Sequence, residues 1–225
     1  MVTSIKLPVT PYIVLWFAAF CWQAPVSAAA PSPLVENDRV VAWDLTWTAK
    51  TQPIQHQRDF ITVHVTEGVF EIHRPDGTSK VISTHPGDIE FDTRGTTHRV
   101  TKTTGDPART IEIEIKDFSV TPLANTSGLP DAFPRVGVKK VLDNDRVTAW
   151  DVTWLPGPPT PMHFHGKDAI AVYLETGALK ATSPDGQSVV NEYVPGFTKF
   201  NPRNRIHSEA LAKGARERAI VIDLK

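Results

Sequence analysis

One eleven-residue segment occurs twice in this chain, with two differences between its copies. Residues 37–47 read NDRVVAWDLTW and residues 144–154 read NDRVTAWDVTW, so nine of the eleven positions are identical. Further matches follow, each pair 109 positions apart, at a glycine, a Pro-Asp-Gly, a Pro-Gly and a histidine. A repeat of this length constrains the fold, because both copies must form the same kind of structural unit.

The first residues predict a segment that is removed from the mature protein. Lys6 precedes an eleven-residue apolar run at 12–22, and Val26-Ser27-Ala28 has the small residues of a cleavage site. This layout is typical of a secretory signal peptide, which we expect at residues 1–28. The alternative is an uncleaved anchor, although a membrane-spanning helix needs about 20 apolar residues.

Export and cysteine content together describe a protein stabilised by its core. The protein is expected to be periplasmic or secreted, yet Cys21 is the only cysteine and lies inside the predicted signal peptide. Disulfides are therefore not expected in the mature chain. The formal net charge of −1, without any basic block, argues against a nucleic-acid partner. After signal cleavage we expect no membrane contact, and a monomer or a homodimer.

The remaining sequence predicts an all-β protein. Short β-branched and aromatic segments, such as 40–47 and 60–65, are separated by Gly and Pro turns. No segment has a sustained helical period. We expect an N-terminal barrel at 34–118, a Pro-rich linker at 119–137 and a C-terminal barrel at 138–225.

The second copy resembles the cupin superfamily. Gly157, His163-Phe164-His165 and Gly177 follow the first cupin motif, and Gly196, Pro202 and His207 follow the second, with Asn204 in the place of a glycine. The first copy is similar, with Gly87, Gly95 and His98 in its second motif. The resemblance covers nearly all of the mature chain and implies two tandem cupin barrels, each a double-stranded β-helix (jelly roll). The chain also resembles uncharacterised bacterial cupin-domain proteins.

This resemblance implies a metal site in the second copy. Residues alternate between the two faces of a strand, so His163 and His165 share one face, and His207 is expected to face them. Three imidazoles suit a divalent transition metal such as Fe, Mn, Ni or Zn, and they leave open positions for water or substrate. The barrel interior is the expected place for this ion.

Two carboxylates are the candidate catalytic residues. The glutamate of the cupin motif would fall at Ala169 or Ile170, neither of which can bind a metal. Asp168 is the nearest acid and is expected to orient an imidazole or pair with a cation. Glu209 shares the inward parity of His207 and is a candidate general base.

The first copy lacks one of these histidines. Ile54 replaces it, which leaves His56 and His98. Two imidazoles bind metal weakly, so we expect a metal-free, structural half. His64, His73 and His85 have no counterparts in the other copy and are expected at the surface or in turns.

The other repeated residues are expected to be structural. The tryptophan pairs (Trp43 and Trp47, Trp150 and Trp154) each share a strand face, where packing is favoured over ligand stacking. Arg39 and Arg146 are expected to pair with an acid such as the repeated Trp-Asp aspartate.

Three functions remain open at this point. The first is a metal-dependent enzyme acting on a small oxygen-rich or anionic molecule by dioxygenation, decarboxylation, isomerisation or lyase cleavage, as the resemblance implies. The second is a non-catalytic protein that binds a small molecule, and the third is a structural scaffold. Fold alone does not decide between them.

Overall fold

A computed structural model describes residues 32–48 and 53–225, and the predicted signal peptide at 1–28 lies outside these ranges. The all-β prediction is confirmed, because the described residues form strands and turns and no helix. Consequently this part of the chain contains no helix that could cross a membrane. The strands are β1 Val35–Glu36, β2 Val40–Trp47, β3 Pro53–Gln55, β4 Asp59–His64, β5 Gly68–His73, β6 Ser79–Thr84, β7 Ile89–Asp92, β8 Thr97–Thr104, β9 Ala108–Ile115, β10 Val138–Asp143, β11 Val147–Trp154, β12 His163–His165, β13 Ala169–Tyr173, β14 Gly177–Thr182, β15 Ser188–Tyr193, β16 Thr198–Asn201, β17 Arg205–Lys213 and β18 Glu217–Leu224.

The two copies of the repeat fold in the same way. Strands β1 to β9 form a five-stranded sheet of order β1-β2-β9-β4-β7 and a four-stranded sheet of order β3-β8-β5-β6. Strands β10 to β18 form β10-β11-β18-β13-β16 and β12-β17-β14-β15, so each strand corresponds to the one nine places later. Among the described strands, every sheet is built within one half of the chain.

The two five-stranded sheets share one hydrophobic core. A single cluster of buried aliphatic side chains includes Val40, Ile61 and Ile113 from the first half and Ile170 and Ile222 from the second. Each such side chain contributes about 1.5–3 kcal/mol when it is fully removed from water. The two halves therefore pack directly against each other through one continuous hydrophobic core.

Strand alternation directs the other face of each sheet into its own barrel. In β11, Val147 and Ala149 lie in the shared core, whereas Trp150, Val152 and Trp154 belong to a separate cluster of buried side chains in the second half. This pattern follows from the two-residue period of a strand. Packing between the halves thus leaves the inward-facing side chains of both barrels available to line a ligand site.

Buried and half-buried ion pairs join the halves at the edges of the shared core. Arg39 Nη1 donates to Asp168 Oδ2 at 2.7 Å, and Arg146 Nε lies 2.8 Å from Asp59 Oδ2. Each pair contains one residue from each copy. The predicted pairing of these arginines with the Trp-Asp aspartates is therefore wrong, because the arginine of one copy reaches the other copy's acid.

The Trp-Asp aspartates hold a different pair of arginines. Asp44 accepts from Arg109 Nε at 2.8 Å, and Arg109 Nη1 donates to the carbonyl oxygen of Pro195 in the second half at 2.7 Å. Arg218 is bound by Asp151 and donates to the carbonyl oxygen of Pro86 in the first half at 2.9 Å. Each aspartate therefore orients an arginine that donates a hydrogen bond to a turn of the opposite half.

Glycine is required in these turns for space as well as for conformation. Gly196 has a φ of 85°, and a Cβ atom there would lie 2.5 Å from the Arg109 guanidinium. Gly87, with a φ of 91°, has the same relation to Arg218 at 2.6 Å. The repeated Pro-Gly is thus part of the contact between the halves.

The second half also buries an ionisable group that the first half lacks. Glu217 is fully buried, and its Oε2 has no hydrogen-bond partner among the residues that the structure describes. Ala108 occupies the matching position in the first half. Its Oε1 accepts from the Arg218 amide at 3.2 Å. Burial raises the pKa of Glu217 to about 7, and the nearby charge of Glu175 adds to the effect.

Replacing Asp168 with Ala is expected to destabilise the protein and to leave any metal in place. Arg39 would be left as an unpaired buried charge, which costs about 3 kcal/mol. Chemical denaturation combined with metal analysis measures both effects. Asp145→Ala, at an exposed acid, is the control. A stable Asp168→Ala protein that loses metal would instead assign Asp168 to the metal site.

Replacing Glu217 with Gln is expected to flatten the pH dependence of stability. A carboxyl whose folded pKa lies above its unfolded value stabilises the fold at low pH, and that contribution is lost as pH rises from about 4.5 to about 7. The variant should therefore gain up to about 3 kcal/mol over the wild type at pH 8 and nothing at pH 4. Urea unfolding at both pH values measures this difference, and an equal effect at both would contradict the assignment.

Candidate metal centre

Three histidines of the second half converge inside its barrel. His163 and His165 lie on β12, and His207 lies directly opposite His163 on β17. The three ring centroids are 4.8–5.0 Å apart, and Nε2 of His165 lies 3.2 Å from Nε2 of His207. One ligand atom from each ring lies within 4.8 Å of the others. The donor set and its spacing fit a single metal ion.

These imidazoles are held neutral, as metal ligands must be. Burial lowers the pKa of His163 and of His207 to about 4, and nearby Arg135 adds to both effects. Burial also lowers the pKa of His165, with Arg205 contributing. His163 Nδ1 lies 2.8 Å from the carbonyl oxygen of Pro161, so Nδ1 donates and Nε2 keeps its lone pair.

Glu209 is the carboxylate at this cluster. Its Oε1 lies 3.6 Å from Nε2 of His207, and its Oε2 accepts from the Trp154 indole at 3.1 Å. The first half has Val100 at the matching position. The structure thus places the predicted base beside the histidines and gives Trp154 the task of orienting it.

Asp168 lies elsewhere. Its Oδ2 is bound by Arg39, and its Oδ1 accepts from the backbone amide of Arg203 at 2.8 Å. Oδ2 is therefore committed to the contact between the halves, and Oδ1 to the backbone of its own half. The predicted catalytic role of Asp168 finds no contact with the histidine cluster to support it.

The linker segment forms one wall of the site. Phe164 on β12 exchanges backbone hydrogen bonds with it, donating to Pro130 at 2.9 Å and accepting from Ala132 at 2.8 Å. Nearer the first half, Leu123 donates to the Gly166 carbonyl at 2.8 Å, and a Cβ atom on Gly166 would lie 2.7 Å from the Leu123 carbonyl oxygen. The linker is bound to the edge of the histidine strand, which the sequence did not predict.

This segment brings two side chains to the metal centre. Phe133 stacks on Trp150 with a centroid distance of 5.2 Å and packs edge-on against His165. The Arg135 guanidinium lies 5.2 Å above the Phe133 ring, 3.4 Å from Nε2 of His163 and 3.7 Å from Oε2 of Glu209. Sequence analysis missed both residues, because nothing local links them to a histidine about 30 positions away.

Two cavities meet at this centre. An inner cavity of about 110 Å³ is lined by His165, His207 and Glu209, with Lys199 and Arg205 in its wall. An outer cavity of about 500 Å³ has His163, Glu209 and Arg135 along its lining and the linker as one side. Because Arg135 and Glu209 line both cavities, they stand where the two meet.

The first half contains a donor cluster of its own. His56 and His98 lie close to Asp92, which ends strand β7, and one ligand atom from each lies within 4.8 Å of the others. Ile54 does occupy the position that matches His163, as the sequence shows. The premise that this half offers only two donors is nevertheless wrong, because Asp92 supplies a third.

His64 was also misplaced by the sequence analysis. It is only 2% exposed, and it lines a cavity of about 520 Å³ in the first barrel together with the His56 cluster. Neither ring nitrogen has a hydrogen-bond partner among the described residues. His85 is exposed and His73 is partly exposed at a strand end, as expected for surface or turn positions.

Comparison with solved structures shows which fold this is. AerE from Microcystis aeruginosa is 16% identical over 84% of this chain and 88% of its own, with a TM-score of 0.63. A cupin 2 conserved barrel domain protein from Leptotrichia buccalis is 15% identical over 85% and 86%, with a TM-score of 0.54. A point mutant of Bacillus subtilis oxalate decarboxylase OxdC is 12% identical over 83% and 69%, with a TM-score of 0.57.

These likenesses establish the cupin fold and leave the activity open. The chain is an all-β protein whose structural neighbours are cupin proteins over most of its length. No family model matches the sequence, and no curated protein matches it.

Proposed function

We propose that this protein is a metal-dependent cupin that acts on a small anionic molecule in its second barrel. His163, His165 and His207 would hold a divalent transition metal such as Fe, Mn, Ni or Zn. The observation that carries the proposal is the convergence of three neutral imidazoles, two buried and one half-buried, beside a carboxylate and two half-buried arginines. The bound ion would supply Lewis acidity toward an oxygen of the substrate.

The charge of the site favours an anion. The three imidazoles are neutral, so they leave the charge of an ion uncompensated. Arg135, Arg205 and Lys199 contribute three positive charges to the two cavities, whereas Glu209 and Asp131 contribute two negative charges. A carboxylate or enolate that enters between Arg135 and the histidines would offset this excess.

Glu209 is positioned to move a proton. The indole N–H of Trp154 fixes one carboxylate oxygen, and the other points toward His207. A carboxylate held in this way can accept a proton from a substrate in the inner cavity or return one to it. Arg135, whose guanidinium lies 3.7 Å from the Glu209 carboxylate, would bind the substrate beside this base.

The substrate that the site favours is a small oxygen-rich anion. Oxalate decarboxylase, one of the structural neighbours, has Mn(II) centres and is named for a small dianion. An inner cavity of about 110 Å³ agrees with a substrate of that size. Decarboxylation, dioxygenation and isomerisation are all within the reach of this arrangement.

Metal analysis of the untagged protein tests the proposal. The His163→Ala and His207→Ala double variant is expected to lose the ion of the second barrel, because one remaining imidazole cannot hold it. Elemental analysis gives the metal content, and thermal melting shows whether the variant is folded. Lys213→Gln, at an exposed lysine of the same half, serves as the control. A folded double variant that keeps the wild-type metal content would refute this site.

Replacing Arg135 with Gln is expected to weaken anion binding and to spare the metal. Loss of a charge-assisted pair of hydrogen bonds costs about 2 kcal/mol, or roughly 30-fold in affinity. Titrating the metal-loaded protein with oxalate, malonate and acetate measures the effect, with Lys213→Gln again matched for net charge. Equal binding by the Arg135 and Lys213 variants would remove Arg135 from the substrate site. Turnover of any bound acid distinguishes an enzyme from a binding protein.

A further inference from the structure

The first barrel brings two imidazoles and a carboxylate to one point. His56 Nε2 lies 3.4 Å from His98 Nε2 and 3.8 Å from Asp92 Oδ2, and His98 Nδ1 lies 3.7 Å from Asp92 Oδ1. His56 is buried, and its ring packs on Phe60 at a centroid distance of 4.4 Å. The cluster is therefore part of the barrel wall and not a chance grouping of surface side chains.

The spacing suits a metal ion. Histidine nitrogens and carboxylate oxygens bind zinc at about 2.0–2.2 Å, so ligand atoms around a tetrahedral ion lie about 3.4 Å apart. The Nε2 atoms of His56 and His98, 3.4 Å apart, match that value, and Asp92 Oδ2 lies 3.8 Å from His56 Nε2. One ligand atom from each of the three residues lies within 4.8 Å of the others. Two imidazoles with one carboxylate are a donor set that zinc, manganese and iron all accept.

We propose that the first barrel holds a second divalent metal ion, bound by His56, Asp92 and His98. Asp92 takes over the ligand role that is lost at Ile54, but from a different strand. The second half has Asn201 at the position that matches Asp92, so each half has its third donor where the other half has none.

The two sites differ in charge for this reason. The second barrel surrounds its ion with neutral imidazoles, whereas Asp92 would cancel one of the two positive charges in the first barrel. Glu90 and the buried Glu112 line the same cavity as Asp92, so three carboxylates face the two cations of its lining, Arg74 and Lys80. The first site is thus less suited to an anion than the second.

The cavity beside this cluster is built to receive a polar molecule. It measures about 520 Å³, and its lining includes the polar side chains of Arg74, Lys80 and Thr96. The metal and these polar side chains together define a site for a small, polar ligand.

The alternative is a hydrogen-bonded trio without metal, in which Asp92 orients the two imidazoles. Zinc binding by the full chain separates the two. We would strip the protein of metal, dialyse it against Zn²⁺ and count the bound ions in the wild type and in the His163→Ala and His207→Ala double variant. In that double variant, about one equivalent should remain, bound by the first barrel.

Asp92→Asn is the decisive change, since it installs the residue that the second half carries at the matching position. In the double-variant background it should weaken zinc binding about 100-fold, because a ligand is lost. Asp88→Asn removes the same charge from an exposed residue near the start of β7 and should leave zinc affinity unchanged. Thermal melting of each variant reports on folding.

The outcomes distinguish the two metal sites. The first-barrel site would be overturned if the Asp92 and Asp88 variants bound zinc with equal affinity. It would also be overturned if the folded double variant bound less than a tenth of an equivalent of zinc. If the double variant does not fold, Asp92→Asn alone should remove one of about two equivalents from the wild type. A wild type that binds one equivalent, lost through Asp92→Asn, would support this site and refute the proposed function of the second barrel.

Discussion

The structure depends on the hydrophobic core that the two five-stranded sheets share. A sheet has two faces, and in each half one face of the large sheet is consumed by packing against the other half. The opposite face then lines a barrel interior, where polar residues can be placed without loss of the core. Both donor clusters lie on the interior side. Packing between the halves and chemistry within them are thus separated by strand alternation.

The internal duplication separates structural residues from functional ones. Arg39, Arg146 and the Trp-Asp aspartates occur in both copies, and all of them belong to ion pairs at or across the boundary between the halves. The differences between the copies gather in the barrel interiors. Position for position, His163 is matched by Ile54, Glu209 by Val100 and Asn201 by Asp92. Such asymmetry is what two sites of different chemistry would require.

The sequence predicts the strands and the three histidines of the second barrel, but not the contacts of Asp168, Arg135 and Asp92. Turn residues and period-two patterns are local, so the strands and the common face of His163 and His165 could be read directly. Asp168 could not be assigned in the same way, because its partner Arg39 is 129 positions away in the other copy. The same holds for Arg135 and Asp92, whose neighbours are set by topology and not by spacing.

One cause explains why the sequence did not reveal Asp92 and gave His64 the wrong place. The cupin motifs direct attention to the positions where ligands are usual, and Asp92 and His64 lie outside those positions. An aspartate at the end of a strand and a histidine at the end of another look ordinary in sequence. Only the closed barrel shows that they line one cavity.

Anomalous diffraction from crystals of the metal-loaded protein tests the central claim most directly, because it counts the ions and locates them. Two barrels packed back to back, each with its own donor set, predict one peak among His163, His165 and His207 and a second among His56, Asp92 and His98. Crystals that were soaked in metal and show no peak at either cluster would contradict this account.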